Sequence, residues 1–520
     1  MAHAPTEEQA EIISAVAEGK ESLMIGAYAG TAKSTTIEMA APGVSEPALA
    51  LAFNKKIADE LQGRLPPNFK ARTLNSIGHG AWIRSLSRPS INLDARKLGK
   101  LVTSVARDMK VPLTTLQWEE VRDGVSSAMR AGLSPRNIGQ PLIQDTKENW
   151  QDLLECADSG DFPMLYDIAW GVLNASIDLA RAGHISFDDQ IYCPTILGGA
   201  WEKYPRVFVD EAQDLSHLNH VMLGLCSTGP ISAVGDKRQA IYLFRGADSN
   251  SMDSMRRLRP SWNDLKLTLT FRCPRNIVAR QQSHAPGYRA APQNIDGRFM
   301  QFGVTEDVGW SWSMLKACMN SISLEGMGRE ATQLAILCRN NAPLMSMAFK
   351  LIREGVGCQM LGRDIGRGLI QLSTKLCKED STPITKFIEV MNAWLDKECA
   401  IAVANDKPER VDKLTDQVEC LRATIEGAQP STAGDLRGVL QRVFSKENGQ
   451  VILSSIHRAK GLEWPLVVHL DPWRIPSKQA QMAAARGDGG PLIQEYNLKY
   501  VAETRTKHTL IEASMEDFSS

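Results

Sequence analysis

The sequence predicts an α/β fold, and three observations predict it. Short apolar runs of strand length, Leu23 to Ile25, Ala48 to Phe53 and Arg206 to Val209, alternate with helical stretches such as Lys55 to Leu65, the pattern of a parallel sheet covered by helices. Two of those runs end in chemistry-bearing residues: Ala27-Tyr-Ala-Gly-Thr-Ala-Lys-Ser34 follows the first, and Asp210-Glu-Ala-Gln-Asp214 follows the last. Ligands of open α/β sheets bind at the C-terminal ends of strands, so both segments stand where a site is expected. Finally, 520 residues exceed what one hydrophobic core holds, because single cores stop growing near about 250–300 residues.

In chain order, Leu23-Met24-Ile25 supplies a buried strand, and the segment after it has the composition of a phosphate cradle. In such a loop successive backbone N–H groups point at the β- and γ-phosphates, and only small residues allow that approach. Lys33 would neutralise phosphate charge, and Ser34 would offer its hydroxyl to Mg²⁺. The general pattern G-x-x-x-x-G-K-[ST] has glycine where Ala27 and Ala32 stand, which leaves Gly30 as the flexible residue. If Ala32 requires glycine-like backbone angles, nucleotide binding is weakened.

The strand Arg206-Val-Phe-Val209 delivers Asp210 and Glu211 to its C-terminal edge. Asp210 is expected to hold Mg²⁺, directly or through water, and Glu211 to orient and deprotonate an attacking water. Taken alone, the two acids also suit a strand end followed by a helix N-cap. In this order, with the cradle upstream, they point to a nucleoside triphosphatase. A further apolar strand, Ile231-Ser-Ala-Val-Gly235, leads to Asp236 and Gln239 and then Ala240-Ile-Tyr-Leu-Phe-Arg-Gly-Ala247. Asp-Glu-Ala-Gln-Asp followed by Val-Gly-Asp-x-x-Gln-x-Ile-Tyr-x-Phe-Arg-Gly-Ala resembles motifs II and III of UvrD/Rep-type superfamily 1 helicases.

The resemblance runs from about residue 5 to about residue 512. Thr6-Glu-Glu-Gln9 resembles the glutamine motif, which implies that Gln9 reads adenine. Ala27 to Ser34 is similar to the family's Ala-Gly-Ala-Gly-x-Gly-Lys-Thr, with Tyr28 and Ala32 as departures, and the resemblance implies that Ala29, Gly30, Thr31, Ala32, Lys33, Ser34 and Thr35 hold the nucleotide. Leu51 to Leu61 resembles motif Ia, especially as written in the F-box DNA helicase branch. Thr73-Leu-Asn-Ser76 with His79 resembles motif Ib, with Asn75 where a histidine is common. Leu269-Thr-Phe-Arg272 resembles motif IV, which implies that Phe271 stacks on adenine and Arg272 reaches the γ-phosphate. Ser454 to Trp464 resembles motif V and Tyr500 to Lys507 resembles motif VI, which implies that Glu463 and Arg505 bind the nucleotide, with Arg505 the arginine finger.

The implied catalytic set is thus Lys33, Asp210, Glu211, Gln239, Arg272 and Arg505, with Ser34 and Asp210 on the metal and ATP and Mg²⁺ as cofactors. Contacts to single-stranded DNA are implied for Phe53, Asn54, Thr73, Asn75, His79, Tyr242, Phe244, Arg245 and His457; base stacking is worth about 1–3 kcal/mol per base. Tyr242 suits a core position equally well, whereas Phe244 beside Arg245, and His457 beside Arg458 and Lys460, suit DNA better. Trp310, Trp312 and Trp473 belong to no motif and are expected to pack.

The family's architecture implies two RecA-like P-loop NTPase cores with helical insertions and a nucleotide between them. Residues 1–80 and 190–275 form the first core and 276–365 with 448–520 the second. Residues 81–189, where Leu98, Leu101, Val102, Val105 and Met109 fall at helical spacing, form a helical insertion that returns through Ile185-Ser-Phe-Asp-Asp-Gln190. Residues 366–447 form a reduced helical accessory insertion with Phe387, Val390, Met391, Trp394 and Leu395 as its apolar stripe. Leu334 to Leu337 and Gly357 to Leu361 are expected as strands of the second core, with the helix Leu344 to Arg353 between them. After motif VI no further domain is expected.

Composition bounds the rest. A charged fraction of 23% and a hydrophobic fraction of 43% are ordinary for a globular chain, and a formal net charge of −1 still permits a local basic groove. Ten cysteines without a C-x-x-C pair suggest neither zinc nor an iron–sulfur cluster. A polar N-terminus and no apolar run of about 18 residues predict a cytoplasmic protein without a membrane span, in the host cytoplasm if the source is viral. The resulting expectation is an ATP-dependent helicase or translocase on single-stranded DNA and single/double-strand junctions, serving replication, repair or recombination. It works as a monomer or with weak self-association, alongside single-strand-binding or recombinase proteins. Its direction, 3′ to 5′, follows from the UvrD/Rep-like wording of motifs II and V. Two alternatives stand beside it: a translocase that strips proteins from DNA with little unwinding, suggested by the F-box likeness, and a non-hydrolysing, nucleotide-gated assembly factor, suggested by Ala32.

Overall fold

The structure is a computed structural model that describes residues 4–52, 54–87, 91–154, 162–241, 248, 250–303, 309–322, 333–404, 408–445 and 449–519. Phe53, Tyr242, Phe244 and Arg245, all expected DNA contacts, lie outside the described residues. The chain forms two compact units, Met1–Ala27 with Ala32–Leu267, and Tyr28–Thr31 with Thr268–Ser520.

The strands of the first unit are β1 (Ser22–Ala27), β2 (Ala48–Leu51), β3 (Phe69–Arg72), β4 (Asn92–Leu93), β5 (His184–Ile185), β6 (Arg206–Val209), β7 (Ile231–Gly235) and β8 (Trp262–Leu267). Six form a parallel sheet in the order β3-β2-β6-β7-β1-β8. The central strands read as unbroken apolar runs because helices cover both faces. Alternate residues accordingly enter two cores: Leu23, Ile25, Ala50 and Phe208 pack on one side, and Met24, Leu49, Leu51, Val207 and Val209 on the other. The helix expected over Lys55 to Leu65 ends at Gln62.

The helical insertion holds helices Lys97–Asp108, Thr115–Ala131, Lys147–Leu154 and Phe162–Arg181 around a core of its own that includes Val102, Val121, Trp150 and Val172. Met109, expected on the apolar stripe of the first of these, caps that helix instead and is 44% exposed. The start of the insertion is tied to its return by a buried ion pair, Lys97 Nζ to Asp189 Oδ2 at 2.7 Å. Asp189 also accepts the Ser186 N–H and hydroxyl, so its burial is compensated.

In the second unit, β9 (Leu269–Thr270) pairs with β10 (Arg289–Ala290). A second six-stranded parallel sheet is built from β11 (Arg298–Phe302), β12 (Leu334–Cys338), β13 (Cys358–Met360), β14 (Val451–Ser455), β15 (Trp464–Leu470) and β16 (Thr506–Ala513), in the order β11-β16-β15-β12-β14-β13. Between β13 and β14 come four helices, Arg363–Leu376, Ile384–Ala404, Pro408–Ala428 and Ala433–Ser445. Phe387, Met391, Val418, Leu421 and Leu440 from these helices share one core with Leu334 and Ile336 of the sheet. Asp416 fastens them further, accepting the N–H groups of Asn341 and Ala342 at the start of the helix Ala342–Arg353. Trp310 is buried as expected, whereas Trp473, also expected to pack, is 50% exposed because it lies in a short turn after β15. Among the described residues no helix is long and apolar enough to cross a membrane, the nine described cysteines are free, and no cluster of three His, Cys, Asp or Glu side chains could hold a metal.

Candidate nucleotide site and nucleic-acid groove

The sheet order β6-β7-β1 places the segments that follow these three strands side by side at one edge. Ser34, in the first turn of the helix Lys33–Ala40, donates its hydroxyl to Asp210 Oδ2 at 2.9 Å, and the Glu211 N–H donates to Asp210 Oδ1 at 2.9 Å. Burial first, and the neighbouring Glu211 second, push the Asp210 carboxyl up to about 6 against the pull of Lys33. A cation at this position would oppose both effects. Glu211 itself has φ 53°, an unusual angle for a residue other than glycine. Its Oε2 accepts from Gln213 Nε2 at 2.5 Å, Gln213 Oε1 accepts the Asp236 N–H at 2.9 Å, and Asp236 Oδ2 accepts from Gln239 Nε2 at 2.8 Å. A chain of hydrogen bonds thus joins Glu211 to Gln239. It crosses β7 at Gly235, where a Cβ would stand 2.6 Å from Gln213 Oε1.

Ala32 has φ 59° and ψ 42°, the left-handed conformation, at the N-cap of the helix Lys33–Ala40. A methyl-bearing residue held there costs about 1–2 kcal/mol. The Thr36 N–H and hydroxyl both donate to Ala32 O at 2.9 Å, and Gln9 Nε2 donates to the Thr36 hydroxyl at 3.0 Å. Gln9 is 3% exposed, and its amide oxygen accepts the Thr6 N–H in a capping box. The expected adenine reader is therefore engaged in bracing the loop's helix.

Tyr28–Thr31, the tip of the phosphate loop, packs within the second unit. The Ala29 N–H donates to the Tyr500 hydroxyl at 2.9 Å, Ala29 O accepts from the Tyr288 hydroxyl at 2.7 Å, and Gly30 O accepts the Phe271 N–H at 2.9 Å. Gly30 has φ 69°, and a Cβ on it would lie 2.5 Å from Arg272 Cβ, so glycine is required on two counts. Thr31 closes the tip by donating its hydroxyl to Tyr28 O. Beside it, Arg272 pairs with Glu463, which in turn pairs with Lys507 Nζ at 2.7 Å. Burial raises the Glu463 carboxyl, but the Arg272 and Lys507 charges outweigh it and hold it below the usual carboxylate range. Phe271 is 41% exposed. Arg505, by contrast, is buried, with its guanidinium donating to Val501 O, Leu462 O and the Thr504 hydroxyl. His457 lies half-buried on the short helix Ile456–Ala459.

The motif Ia and Ib residues gather in the first unit. Asn54 and Thr73 cap the helices Lys55–Gln62 and Leu74–Leu86 with their side chains. Asn75 Nδ2 donates to Phe187 O at 3.1 Å and to Gln190 Oε1 at 3.0 Å; Gln190 Nε2 meets His79 Nδ1 at 3.1 Å, and burial lowers the pKa of that histidine. Asn54, Thr73 and Asn75 line a cavity of about 630 Å³ together with Arg130, Phe187 and Asp188. Gln213, Lys507 and Phe187 have no role legible in the sequence. The first two lie inside motifs II and VI, but their partners are distant in the chain or set by the local turn. Phe187, 54% exposed, was signalled only by the Ser-Phe-Asp-Asp return segment.

Residues 6–259 match the family described as UvrD/REP helicase N-terminal domain, and residues 372–516 match the one described as UvrD-like helicase C-terminal domain. F-box DNA helicase protein 1 of Schizosaccharomyces pombe is 23% identical over 544 residues, covering 97% of this chain and 57% of that protein. ATP-dependent DNA helicase UvrD2 of Mycobacterium tuberculosis is 24% identical over 330 residues, 59% of this chain and 47% of its own. DNA helicase II of Salmonella typhimurium is 22% identical over 253 residues, 46% of this chain and 32% of its own. The chain spans about half the length of the curated relatives it matches.

Proposed function

This chain belongs to the UvrD/Rep helicase family, and from that premise we propose that it is an ATP-driven motor that moves 3′ to 5′ on single-stranded DNA and opens single/double-strand junctions. The observation that carries the reading is the convergence of Ser34, Asp210, Glu211 and Gln239 at adjacent strand ends of one sheet.

Lys33 and the N–H groups of the loop hold the phosphates. Ser34 and Asp210 are hard oxygen donors 2.9 Å apart, a set suited to Mg²⁺, which keeps most of its remaining ligands as water and phosphate. When bound there, Mg²⁺ supplies neutralisation of the phosphate charge. Glu211, aimed by Gln213, orients the attacking water and accepts its proton. Gln239 senses the state of that carboxylate through Asp236 and Gln213. Arg272 supplies positive charge to the γ-phosphate, Phe271 stacks on adenine, and Asn54, Thr73, Asn75 and His457 contact the DNA strand; for Arg505 to act as an arginine finger its guanidinium must leave the Val501 and Leu462 carbonyls.

Steady-state ATP hydrolysis with and without single-stranded DNA tests the motor. The expected outcome is stimulation by DNA in the wild type and a loss of about 10²–10⁴-fold in Glu211→Gln, with DNA binding kept. Absence of hydrolysis by the wild type, with DNA binding intact, would overturn the motor in favour of a nucleotide-gated assembly factor, the reading that the strained Ala32 favours. For direction, streptavidin should be displaced from the 5′ end of a biotinylated oligonucleotide and not from the 3′ end; the reverse pattern refutes 3′ to 5′ movement. Comparing strand separation with removal of a recombinase filament distinguishes the unwinding role from the stripping one.

A further inference from the structure

Beside the motif Ib cavity, a second cavity of about 780 Å³ opens in the helical insertion, between the helices Lys97–Asp108 and Thr115–Ala131. The two cavities share Arg130, Phe187 and Asp188 in their walls, so they adjoin. Trp118, Arg122, Ser126 and Arg130 recur every fourth residue along one face of the longer helix, and Arg96 and Lys100 stand across from them. From Trp118 to Arg130 the helix advances about 18 Å, the length of about five stacked nucleotides at ~3.4 Å each.

The walls are organised for an anionic chain. Trp118 donates its indole N–H to the Thr103 hydroxyl at 3.0 Å and lies against Gly99, where a Cβ would stand 3.0 Å from the ring. So fixed, it holds the Arg122 guanidinium 5.2 Å from its ring centroid, a cation–π contact that aims the charge. Lys100 pairs with Asp94, Arg122 with Asp123 and Arg130 with Asp188, but these are partly exposed pairs of a kind worth about 0–1 kcal/mol, which a polyanion can replace. The exposed Phe187 ring sits at the junction of the two cavities. Cations along the length of a groove with an aromatic at its mouth are what sequence-independent single-strand binding requires.

Resting on the DNA reading above, we propose that this second cavity is a second stretch of the single-strand path, in which Arg96, Lys100, Arg122 and Arg130 track the phosphates of about five nucleotides beyond the motif Ib cavity. The test is fluorescence anisotropy with labelled oligothymidylates of increasing length, at several salt concentrations. The wild type is compared with the Lys100→Gln/Arg122→Gln double variant and with Arg96→Gln, a single change at an exposed position that keeps the test valid if the double variant misfolds. Wild-type affinity should keep rising over about five more nucleotides than that of the variants. On the longest oligonucleotides the double variant should lose about tenfold, and its slope of log affinity against log salt should fall by about 1–2, while short ones bind alike. Equal plateaus and slopes, or a loss confined to blunt duplex, would overturn the inference. Failure of the wild type to bind any oligonucleotide would instead sink the DNA reading, and this one with it.

Discussion

Ala32 and Glu211 both hold left-handed backbone angles that their side chains disfavour, and both stand in the nucleotide site. Strain concentrates where the surrounding structure dictates geometry, and here the two residues lie in the segments that follow β1 and β6. Ala32→Gly removes the methyl without touching any hydrogen bond. It should stabilise the protein by about 1 kcal/mol and raise its thermal midpoint by about 2–4 °C, with tighter nucleotide binding measured alongside. An unchanged midpoint would mean that the loop relaxes around the methyl. That alanine occupied a glycine position was legible in the sequence; its angle was not, because backbone angles depend on how the loop is held at both ends.

Among the elements, the helical insertion depends on the Lys97–Asp189 pair, in which the side chains are 3% and 0% exposed. Lys97→Met leaves Asp189 buried without its counter-charge and should destabilise the first unit by about 3–5 kcal/mol in urea unfolding, whereas adding Asp189→Asn should recover much of the loss. A cost below about 1 kcal/mol would assign the insertion's anchoring to its apolar core instead. The return segment around Asp189 was recognisable by its wording, but the partner 92 residues upstream was not, since nothing local marks a buried lysine. The accessory helices show a similar limit. Their apolar stripe was visible in the sequence, but Phe387 and Met391 proved to be part of the sheet's own core.

Across the whole molecule, each unit buries a histidine that acid must charge. His220 in the first unit and His469 in the second are both lowered to about 4 by burial. Neither ring nitrogen of His469 has a hydrogen-bond partner among the described residues. A histidine depressed in the folded state contributes stability above its unfolded pKa of about 6.5 and loses it as pH falls toward about 4. Each residue should therefore cost up to about 1.4 kcal/mol per pH unit through that window. Denaturant midpoints measured from pH 7 to pH 4.5 should fall for both units, and His469→Leu should flatten the fall for the second; a flat profile in the wild type would show that both rings find compensation when charged.

What the sequence determined by itself was chemistry that is local: a lysine and serine after small residues, an acidic pair at a strand end, ordered motifs, and apolar runs of strand length. These are legible without the fold because side-chain type and the preference for strand or helix are set over a few neighbouring residues. Tertiary structure decided what depends on distant partners. The order β6-β7-β1 linked Glu211 to Gln239, packing buried Arg505 against the carbonyls of Val501 and Leu462, and the approach of two insertion helices brought scattered arginines to one cavity. Hydrogen bonds and charges act over a few ångströms of space, and only the fold brings residues far apart in the chain that close.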